Sequence, residues 1–276
     1  MLREKLAKLL KIDKRCLPRG FQVVGDIALL KLPRDVEDRK FEIGKAMLKL
    51  LPWLKTVCLI HRISGEFREP EIEVIAGDGT ETIHREHGVL YKLDVARLMF
   101  SKGNQRERHR LVKLVKPGEV VVDMFAGIGY FSLPIAKFTH AKKVVAIEKN
   151  PVAFRYLVEN VKLNEVENRI GPVLGDCRAI AKLERYQTIA DRVIMGYFIS
   201  PERFAEAALA FLKSRGYLHY HMLASERGLW KGAVQKVRKT FESFRVKVEI
   251  ERKEKVKSYA PRLYHVVLDL KIEKKT

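Results

Sequence analysis

From residue 105 onward, helix-like and strand-like segments alternate along the chain, and this alternation restricts the fold more than any other feature. Strand-like runs of β-branched and other apolar residues, such as 120–124 and 143–147, are each followed by a segment with helical periodicity. Five strands lead into helices in this way. Two further strands, 245–252 and 264–272, then follow one another with no helix between them. Crossover helices between strands are typical of an α/β fold with a parallel sheet.

The first 90 residues have a different pattern. Helix-like stretches at 2–10 and 41–51 are mixed with strand-like runs at 56–63 and 71–75. We therefore predict a small N-terminal α+β domain over residues 1–90, followed by the α/β domain over residues 91–276.

The charge of the chain indicates the class of partner. Lys and Arg number 54 against 34 Asp and Glu, which gives a formal net charge of +20. Such an excess attracts polyanions, and it favours a nucleic acid over an anionic membrane or a basic surface without a partner.

Two observations bear on the cellular compartment. The three cysteines, Cys16, Cys58 and Cys177, are odd in number and far apart, which is typical of a protein from a reducing compartment. No apolar stretch approaches the ~18 residues of a membrane span. We therefore expect a cytoplasmic protein without a membrane partner.

His219 and His221 share one face of a predicted strand, but no third ligand has suitable spacing, so no metal is expected.

A glycine-containing turn follows the first strand of the α/β domain. Asp123 ends that strand, and Gly127 and Gly129 allow a ligand to approach the backbone before the next helix begins. Glu148 follows Gly127 by 21 residues and ends the second strand, where Rossmann-type sites place an acid that binds the ribose hydroxyls. Ser132 stands where a dinucleotide fingerprint has its third glycine, which disfavours NAD.

A third strand end carries another acid. Gly175-Asp176-Cys177 resembles the part of S-adenosylmethionine sites in which an acid contacts the adenine amino group and the next residue lies beside the ring. The resemblance therefore implies S-adenosylmethionine as cofactor, with Asp123, Glu148 and Asp176 at three successive strand ends. For Cys177 itself, packing is favoured over thiol chemistry because no histidine follows to form a nucleophile pair.

Several separate motifs, from residue 91 to the C-terminus, resemble the family of enzymes that methylate N1 of guanosine 37 in tRNA. They also resemble the related archaeal-type aminocarboxypropyl transferases of tRNA wybutosine synthesis. The resemblance implies a class I methyltransferase fold, a Rossmann-like seven-stranded sheet whose last strand is antiparallel, and tRNA as partner through its anticodon region at position 37. The motifs are Tyr91-Lys92-Leu93-Asp94, Phe100-Ser101, Glu107-Arg108, residues 121–131, residues 191–195 and residues 257–261.

The two branches of this family differ at the end of the fourth strand. The methylating branch carries Asn-Leu-Pro or Asn-Pro-Pro there, whereas this chain has Met195-Gly196-Tyr197-Phe198. The amide that would face the purine N1 edge is missing, so the aminocarboxypropyl reaction is favoured. A guanosine-37 N1-methyltransferase and a catalytically inactive tRNA-binding protein remain as alternatives. A monomer is favoured.

The resemblance also implies roles for individual side chains. Arg108 is the candidate that holds the cofactor carboxylate, and Ser101 donates a second hydrogen bond. Phe125 packs against the cofactor. Tyr197 stacks on the acceptor base, with core packing as an equal alternative. Arg106 and Arg110 lie on other faces of the same helix and are expected to face phosphate or solvent.

Overall fold

The computed structural model describes residues 2–275, and the chain divides into two compact units after Phe100. The first unit contains a four-stranded sheet with the order β1-β2-β3-β4, in which β2 and β3 are parallel and the other pairs antiparallel. A separate two-stranded hairpin, β5–β6, completes it. Its elements are α1 (Leu2–Leu10), β1 (Gln22–Val24), β2 (Ile27–Leu30), α2 (Lys40–Leu50), β3 (Thr56–Ser64), β4 (Glu69–Gly77), β5 (Glu81–Glu86) and β6 (Val89–Asp94).

The core of the first unit forms because both helices bury an apolar face. Leu6 of α1 and Met47 of α2 are almost completely buried together with Val57 of β3. Burial of such side chains contributes roughly 1.5–3 kcal/mol each. The unit is therefore a folded α+β body with its own core.

The boundary between the units differs from the predicted one. A boundary after residue 90 would cut β6, which pairs with β5 from Val89 to Asp94. The Tyr91 ring also lies in edge contact with the Phe100 ring, at 5.4 Å between centroids. Residues 91–100 thus belong to the first unit, because the hairpin and this aromatic contact hold them there.

The second unit is built on a seven-stranded sheet with the order β12-β13-β11-β10-β7-β8-β9. β13 runs antiparallel to both neighbours, and the remaining pairs from β11 to β9 are parallel. This confirms the predicted seven strands and the antiparallel last strand. The elements are α3 (Gln105–Leu114), β7 (Val120–Asp123), α4 (Ser132–Phe138), β8 (Lys143–Glu148), α5 (Pro151–Leu163), β9 (Ile170–Leu174), α6 (Cys177–Ile180), β10 (Ala190–Met195), α7 (Ala205–Phe211), β11 (Leu212–Ser225), α8 (Leu229–Phe241), β12 (Val246–Ala260) and β13 (Leu263–Lys274).

The central strands carry apolar residues on both faces because helices cover both faces of the sheet. Val121, Val122 and Val193 are completely buried. The carboxyl ends of β7, β8, β9 and β10 therefore meet at one edge of a rigid layer. This is the edge at which open α/β sheets bind ligands.

One predicted helix is shorter than its sequence pattern suggests. Residues 201–213 have helical periodicity and predict one helix, but they form a 3-10 turn, Pro201–Phe204, followed by α7, which ends at Phe211. Leu212 already belongs to β11. Separately, no helix among residues 2–275 is long and apolar enough to cross a membrane.

Candidate active site

The turn between β7 and α4 has a backbone that requires glycine. Gly127 and Gly129 have φ values of +57° and +101°, in the region that L-residues with side chains rarely adopt. A Cβ at Gly127 would lie 2.6 Å from the Tyr130 ring. The turn therefore requires glycine at both positions, and at Gly127 the Tyr130 ring leaves no room for a side chain.

Asp123 fixes the shape of this turn from inside. Its carboxylate is fully buried, and it accepts hydrogen bonds from the Ser132 hydroxyl at 2.7 Å and from the Phe125 N–H at 3.3 Å. The pKa of Asp123 is raised to about 7, mainly by burial. The hydrogen bonds from Ser132 and Phe125 oppose this shift, and the nearby charge of Glu148 adds to it. Ser132, the residue that departs from the dinucleotide fingerprint, is thus the partner of Asp123. Sequence reasoning missed this role.

Glu148 joins the second strand end to the same turn. One carboxylate oxygen accepts a hydrogen bond from the Gly127 N–H at 2.7 Å, and the other accepts one from the Asn150 N–H at 2.7 Å. Burial raises the pKa of Glu148 against these backbone hydrogen bonds. Each carboxylate oxygen has a second lone pair, so a fixed acceptor pair is presented at the sheet edge, as ribose hydroxyls require.

Asp176 ends the third strand and caps α6. It accepts hydrogen bonds from the Arg178 N–H at 2.9 Å and from the Arg178 guanidinium at 2.6 Å. The hydrogen bonds to Arg178 lower the pKa of Asp176 to about 2. Cys177 is buried, which raises the pKa of its thiol to about 12. The thiol is therefore protonated near neutral pH, and its position agrees with packing.

Three aromatic rings gather at the carboxyl end of β10. Phe125 and Tyr197 are stacked with centroids 5.3 Å apart, and Phe204 meets the edge of Phe125 at 4.9 Å. The Arg178 guanidinium lies over the Phe204 ring at 5.1 Å. Phe125 and Tyr197 are thus brought together, as neighbours of one apolar surface. Phe204 was missed by sequence reasoning; its position shortly after the β10 end is the only signal for it.

Arg108 and Ser101 also lie together. Arg108 is buried, and its guanidinium donates a hydrogen bond to the Ser101 carbonyl oxygen at 3.3 Å. The Ser101 hydroxyl accepts a hydrogen bond from the Lys257 ammonium at 2.6 Å, so its own hydrogen keeps its donor role. The Tyr130 ring lies beside Gly127 and is near both charges. Burial raises the pKa of Tyr130, the Arg108 charge lowers it, and the Glu148 charge raises it. The contact with Lys257 was not predicted from the sequence.

Comparison with known proteins places this geometry in a family. Residues 82–249 match the TRM5/TYW2 methyltransferase domain, which is more than half of the chain. The chain belongs to the TRM5/TYW2 family. Residues 2–80 match the TYW2 N-terminal domain in addition, so both units of this family member have a counterpart.

Individual relatives cover nearly the whole chain. The chain is 40% identical, over 92% of its length and 98% of the relative's, to tRNA(Phe) (4-demethylwyosine(37)-C(7)) aminocarboxypropyltransferase of Methanocaldococcus jannaschii. It is 39% identical, over 94% of its length and 76% of the relative's, to tRNA (guanine(37)-N(1))-methyltransferase Trm5b of Pyrococcus abyssi. The crystal structure of P. horikoshii TYW2 in complex with MeSAdo is 37% identical and superposes with a TM-score of 0.87, covering 99% of this chain and 100% of that one.

In this TRM5/TYW2 family member, one predicted residue has a different environment. Arg110 was expected to face phosphate or solvent, but its side chain is only 11% exposed. It donates hydrogen bonds to Glu107 at 2.7 Å and to Asp269 at 3.0 Å. The prediction was wrong because the two carboxylates come from α3 and the distant strand β13, which helical periodicity cannot reveal. Arg106 is exposed, as expected.

The histidines of β11 are also explained by their neighbours. His219 hydrogen-bonds to Asp269 at 2.6 Å and to Arg192 at 2.8 Å, and His221 contacts His265 at 2.9 Å. Burial lowers the pKa of His221 to about 3. In the part of the chain that the structure describes, no group of three or more His, Cys, Asp or Glu side chains has an arrangement suited to a metal ion.

Proposed function

We propose that this chain transfers the 3-amino-3-carboxypropyl group of S-adenosylmethionine to C7 of 4-demethylwyosine at position 37 of tRNA(Phe), releasing methylthioadenosine. The observation that carries this proposal is the 40% identity to an aminocarboxypropyltransferase over almost the full length of both chains. The match of the first unit to the TYW2 N-terminal domain supports it.

The end of β10 supports the same branch of the family. Gly196 and Tyr197 stand where the resemblance places an amide in the methylating enzymes. A Cβ at Gly196 would lie 3.0 Å from the Phe131 ring, so a larger side chain here would require Phe131 to move. In place of an amide, the site offers the ring of Tyr197 beside Phe125. A flat apolar surface of this kind suits stacking of a tricyclic base, which is the role we propose for Tyr197.

The residues present fit S-adenosylmethionine. The open backbone at Gly127 would accept the cofactor, Glu148 would bind the ribose hydroxyls, and Asp176 would face the adenine amino group. Cys177 would lie beside the adenine ring, and Phe125 and the backbone around Asp123 would line the pocket. The fixed Glu148 carboxylate and the glycine backbone of the turn, at positive φ, are the features of the structure that support this fit.

The choice of transferred group depends on orientation. S-adenosylmethionine supplies three electrophilic carbons on one sulfonium. In the proposed reaction the acceptor carbon attacks the γ-carbon, the bond from that carbon to sulfur breaks, sulfur keeps the electron pair, and the acceptor carbon loses a proton. Arg108 and Ser101 would hold the amino-acid arm so that its γ-carbon faces the acceptor base.

The partner is proposed to be tRNA, bound through its anticodon region by an enzyme that works in the cytoplasm. A formal net charge of +20 supports a polyanionic partner. In the second unit, α8 carries Lys231, Lys236, Arg238 and Lys239 on its exposed side. Phosphate groups are bound by such side chains without sequence preference.

The nucleoside by-product tests this proposal. The protein is incubated with S-adenosylmethionine and precursor tRNA(Phe) that carries 4-demethylwyosine, and the small products are separated by chromatography. We expect methylthioadenosine with this tRNA and no turnover with tRNA that carries unmodified guanosine 37. Adenosylhomocysteine with the unmodified tRNA would instead indicate the N1-methyltransferase, to which a relative of 39% identity gives weight. Binding of tRNA without either product would indicate an inactive binding protein.

A further inference from the structure

The helix that carries Arg108 packs on the sheet through charged side chains. α3 reads QRERHRLVKL, and its buried residues are Glu107, Arg108 and Leu111. Helices usually dock on a sheet with an apolar stripe, but two of these three buried side chains are ionisable. Beside the packing of α3 against α4, specific polar contacts therefore help to set its position.

A chain of buried ion pairs provides these contacts. Arg110 bridges Glu107 of its own helix, at 2.7 Å, and Asp269 of β13, at 3.0 Å. Asp269 is also hydrogen-bonded to His219 at 2.6 Å. The side chains of Arg110 and Asp269 are 11% and 7% exposed. Burial alone would lower the pKa of Arg110, but its hydrogen bonds to Glu107 and Asp269 raise that pKa instead. The hydrogen bonds from His219 and Arg110 lower the pKa of Asp269 against burial, so Arg110 and Asp269 stay ionised.

The same chain continues to the other end of α3. The second nitrogen of His219 lies 2.8 Å from an Arg192 guanidinium nitrogen, which donates. His219 must accept that bond and donate to Asp269, so it is neutral, and burial lowers its pKa accordingly. Arg192 also bonds Glu119 at 2.8 Å and the Leu114 carbonyl oxygen at 2.9 Å. α3 is thus tied to the sheet through Arg110, near its middle, and through Leu114, at its C-terminal end.

This arrangement fixes the rotation of α3 about its own axis. Apolar contacts tolerate small rotations, whereas an arginine held between two carboxylates has a defined direction. Arg108 lies two residues before Arg110, and its guanidinium reaches the Ser101 carbonyl oxygen. A rotation of the helix would therefore move Arg108 away from the place proposed for the cofactor carboxylate.

We propose that Asp269, acting through Arg110, is a positioning residue for Arg108 and so for the amino-acid arm of the cofactor. The inference rests on the proposed function only in that the site binds S-adenosylmethionine. It does not depend on which carbon is transferred, because either reaction needs the arm to be held.

The test is a comparison of two ligands. Methylthioadenosine has the adenosine part of S-adenosylmethionine and lacks the amino-acid arm and the sulfonium charge, so the ratio of the two Kd values reports on these parts and not on the adenosine. We expect Asp269→Asn to weaken S-adenosylmethionine about tenfold or more, the effect of losing a hydrogen bond to a charged group, and to leave methylthioadenosine nearly unchanged. Calorimetric titration of the full chain measures both.

A matched control lies on the same strand. Glu273→Gln removes a carboxylate of β13 that pairs with the exposed Arg215 at 2.6 Å, and it should leave the ratio of the two Kd values unchanged. Equal weakening of both ligands by Asp269→Asn, no weakening of either, or the same selectivity in Glu273→Gln would overturn the proposal, since each of these results is what a purely structural role would give.

A second variant keeps the test informative if Asp269→Asn does not fold. Arg110→Lys retains the charge but cannot bond both carboxylates in the same geometry, so a smaller selective loss of S-adenosylmethionine affinity is expected. In the double variant with Arg108→Ala, Arg110→Lys should add no further selective loss, and an added loss would overturn the proposal. If the protein transfers the methyl group to tRNA, the proposed function is wrong, but the inference about Asp269 is unaffected.

Discussion

At the scale of single residues, the carboxylates at the ends of β7 and β8 have different tasks. Asp123 accepts hydrogen bonds only from inside the turn in the contacts described, from Ser132 and Phe125. Glu148 lies at the edge and uses two backbone N–H groups to fix its orientation. Asp123 therefore shapes the turn, and Glu148 is placed to bind a ligand.

Glu148→Gln should weaken S-adenosylmethionine and methylthioadenosine together. Both ligands carry the ribose, and the loss of a hydrogen bond to a charged group costs about 1.5–3 kcal/mol, or roughly 10- to 100-fold in Kd. Calorimetric titration measures both Kd values. Glu159→Gln on α5, whose side chain is 38% exposed, serves as control and should change neither. Selective loss of S-adenosylmethionine would place Glu148 at the amino-acid arm instead.

Asp123 should give the unfolding free energy a specific pH dependence. Its pKa is raised from 3.8 to about 7 in the folded protein, so between about pH 4 and pH 7 the folded state binds a proton that the unfolded chain has released. Stability contributed in this way is lost as pH rises through that range. Urea unfolding at a series of pH values should show this slope, and Asp123→Asn should reduce it, while the raised pKa of Glu148 keeps a part of it.

Asp176→Asn is the control for that measurement. The pKa of Asp176 is lowered to about 2, so its contribution is present above about pH 4 and is lost only as pH falls toward 2. The slope between about pH 4 and pH 7 should therefore remain in Asp176→Asn. An unchanged slope in Asp123→Asn would show that the Asp123 carboxyl is ionised in the folded protein at low pH.

Some of these residues' roles could be predicted from the sequence, and others could not. The pairing of Gly127 with Glu148 was predictable because a strand, a helix and a second strand of ordinary length bring them to one edge. The partners Lys257 of Ser101 and Asp269 of Arg110 were not, because they lie 156 and 159 positions away along the chain. Contacts at such separations depend on how β12 and β13 return to the sheet.

At the scale of elements, the turn between β7 and α4 holds the strand ends together. The N–H of Ala126 donates to the Ile147 carbonyl oxygen at 2.9 Å, and that of Met124 donates to the Ile194 carbonyl oxygen at 3.0 Å. The turn is thus bonded to both neighbouring strands. Any change in its backbone would reach β8 and β10 as well.

Gly127→Ala should abolish cofactor binding at a modest cost in stability. A side chain at its positive φ costs about 1–2 kcal/mol, and the new Cβ would displace the Tyr130 ring. Gly118→Ala is a matched control, since Gly118 has a φ of +80° and a Cβ added there would meet no described heavy atom within 4 Å beyond its chain neighbours. Thermal unfolding should show a larger loss for Gly127→Ala, which must also displace the Tyr130 ring, and calorimetry should show a binding defect for Gly127→Ala alone. Equal cofactor affinity in the two variants would contradict the role of this turn.

Element order was predictable, whereas element length was less so. The alternation of helix and strand indicated seven strands, because burial on both faces forces long apolar runs, and the family resemblance indicated the antiparallel last strand. The stretch 201–213 kept a helical pattern, yet its first turn is a 3-10 turn and its end is already a strand. There, Leu212 pairs with Ala190 of β10, and this tertiary pairing outweighs local periodicity.

At the scale of the whole molecule, basic segments occur in both units. They are residues 3–15 in the first unit, and α8 together with residues 252–257 in the second. Most of their Lys and Arg side chains are exposed. In each unit, they are therefore available to bind phosphates of the proposed tRNA partner.

The affinity for tRNA should fall steeply with salt. If about six phosphates are neutralised, the affinity should drop roughly a thousandfold between about 50 and 200 mM salt, because bound counterions are released on association. Filter binding or fluorescence anisotropy at several salt concentrations gives the slope. The Kd for S-adenosylmethionine serves as control and should change little. A flat salt dependence for tRNA would show that the basic segments do not contact its backbone.

The most direct test of the proposed reaction follows the transferred atoms themselves. The protein is incubated with precursor tRNA(Phe) and with S-adenosylmethionine labelled in the methyl group in one sample and in the carboxyl group in another. We predict that the carboxyl label enters the tRNA at position 37 and that the methyl label leaves with methylthioadenosine. Methyl label in the tRNA, with the carboxyl label left in adenosylhomocysteine, would contradict the account and make this chain a methyltransferase.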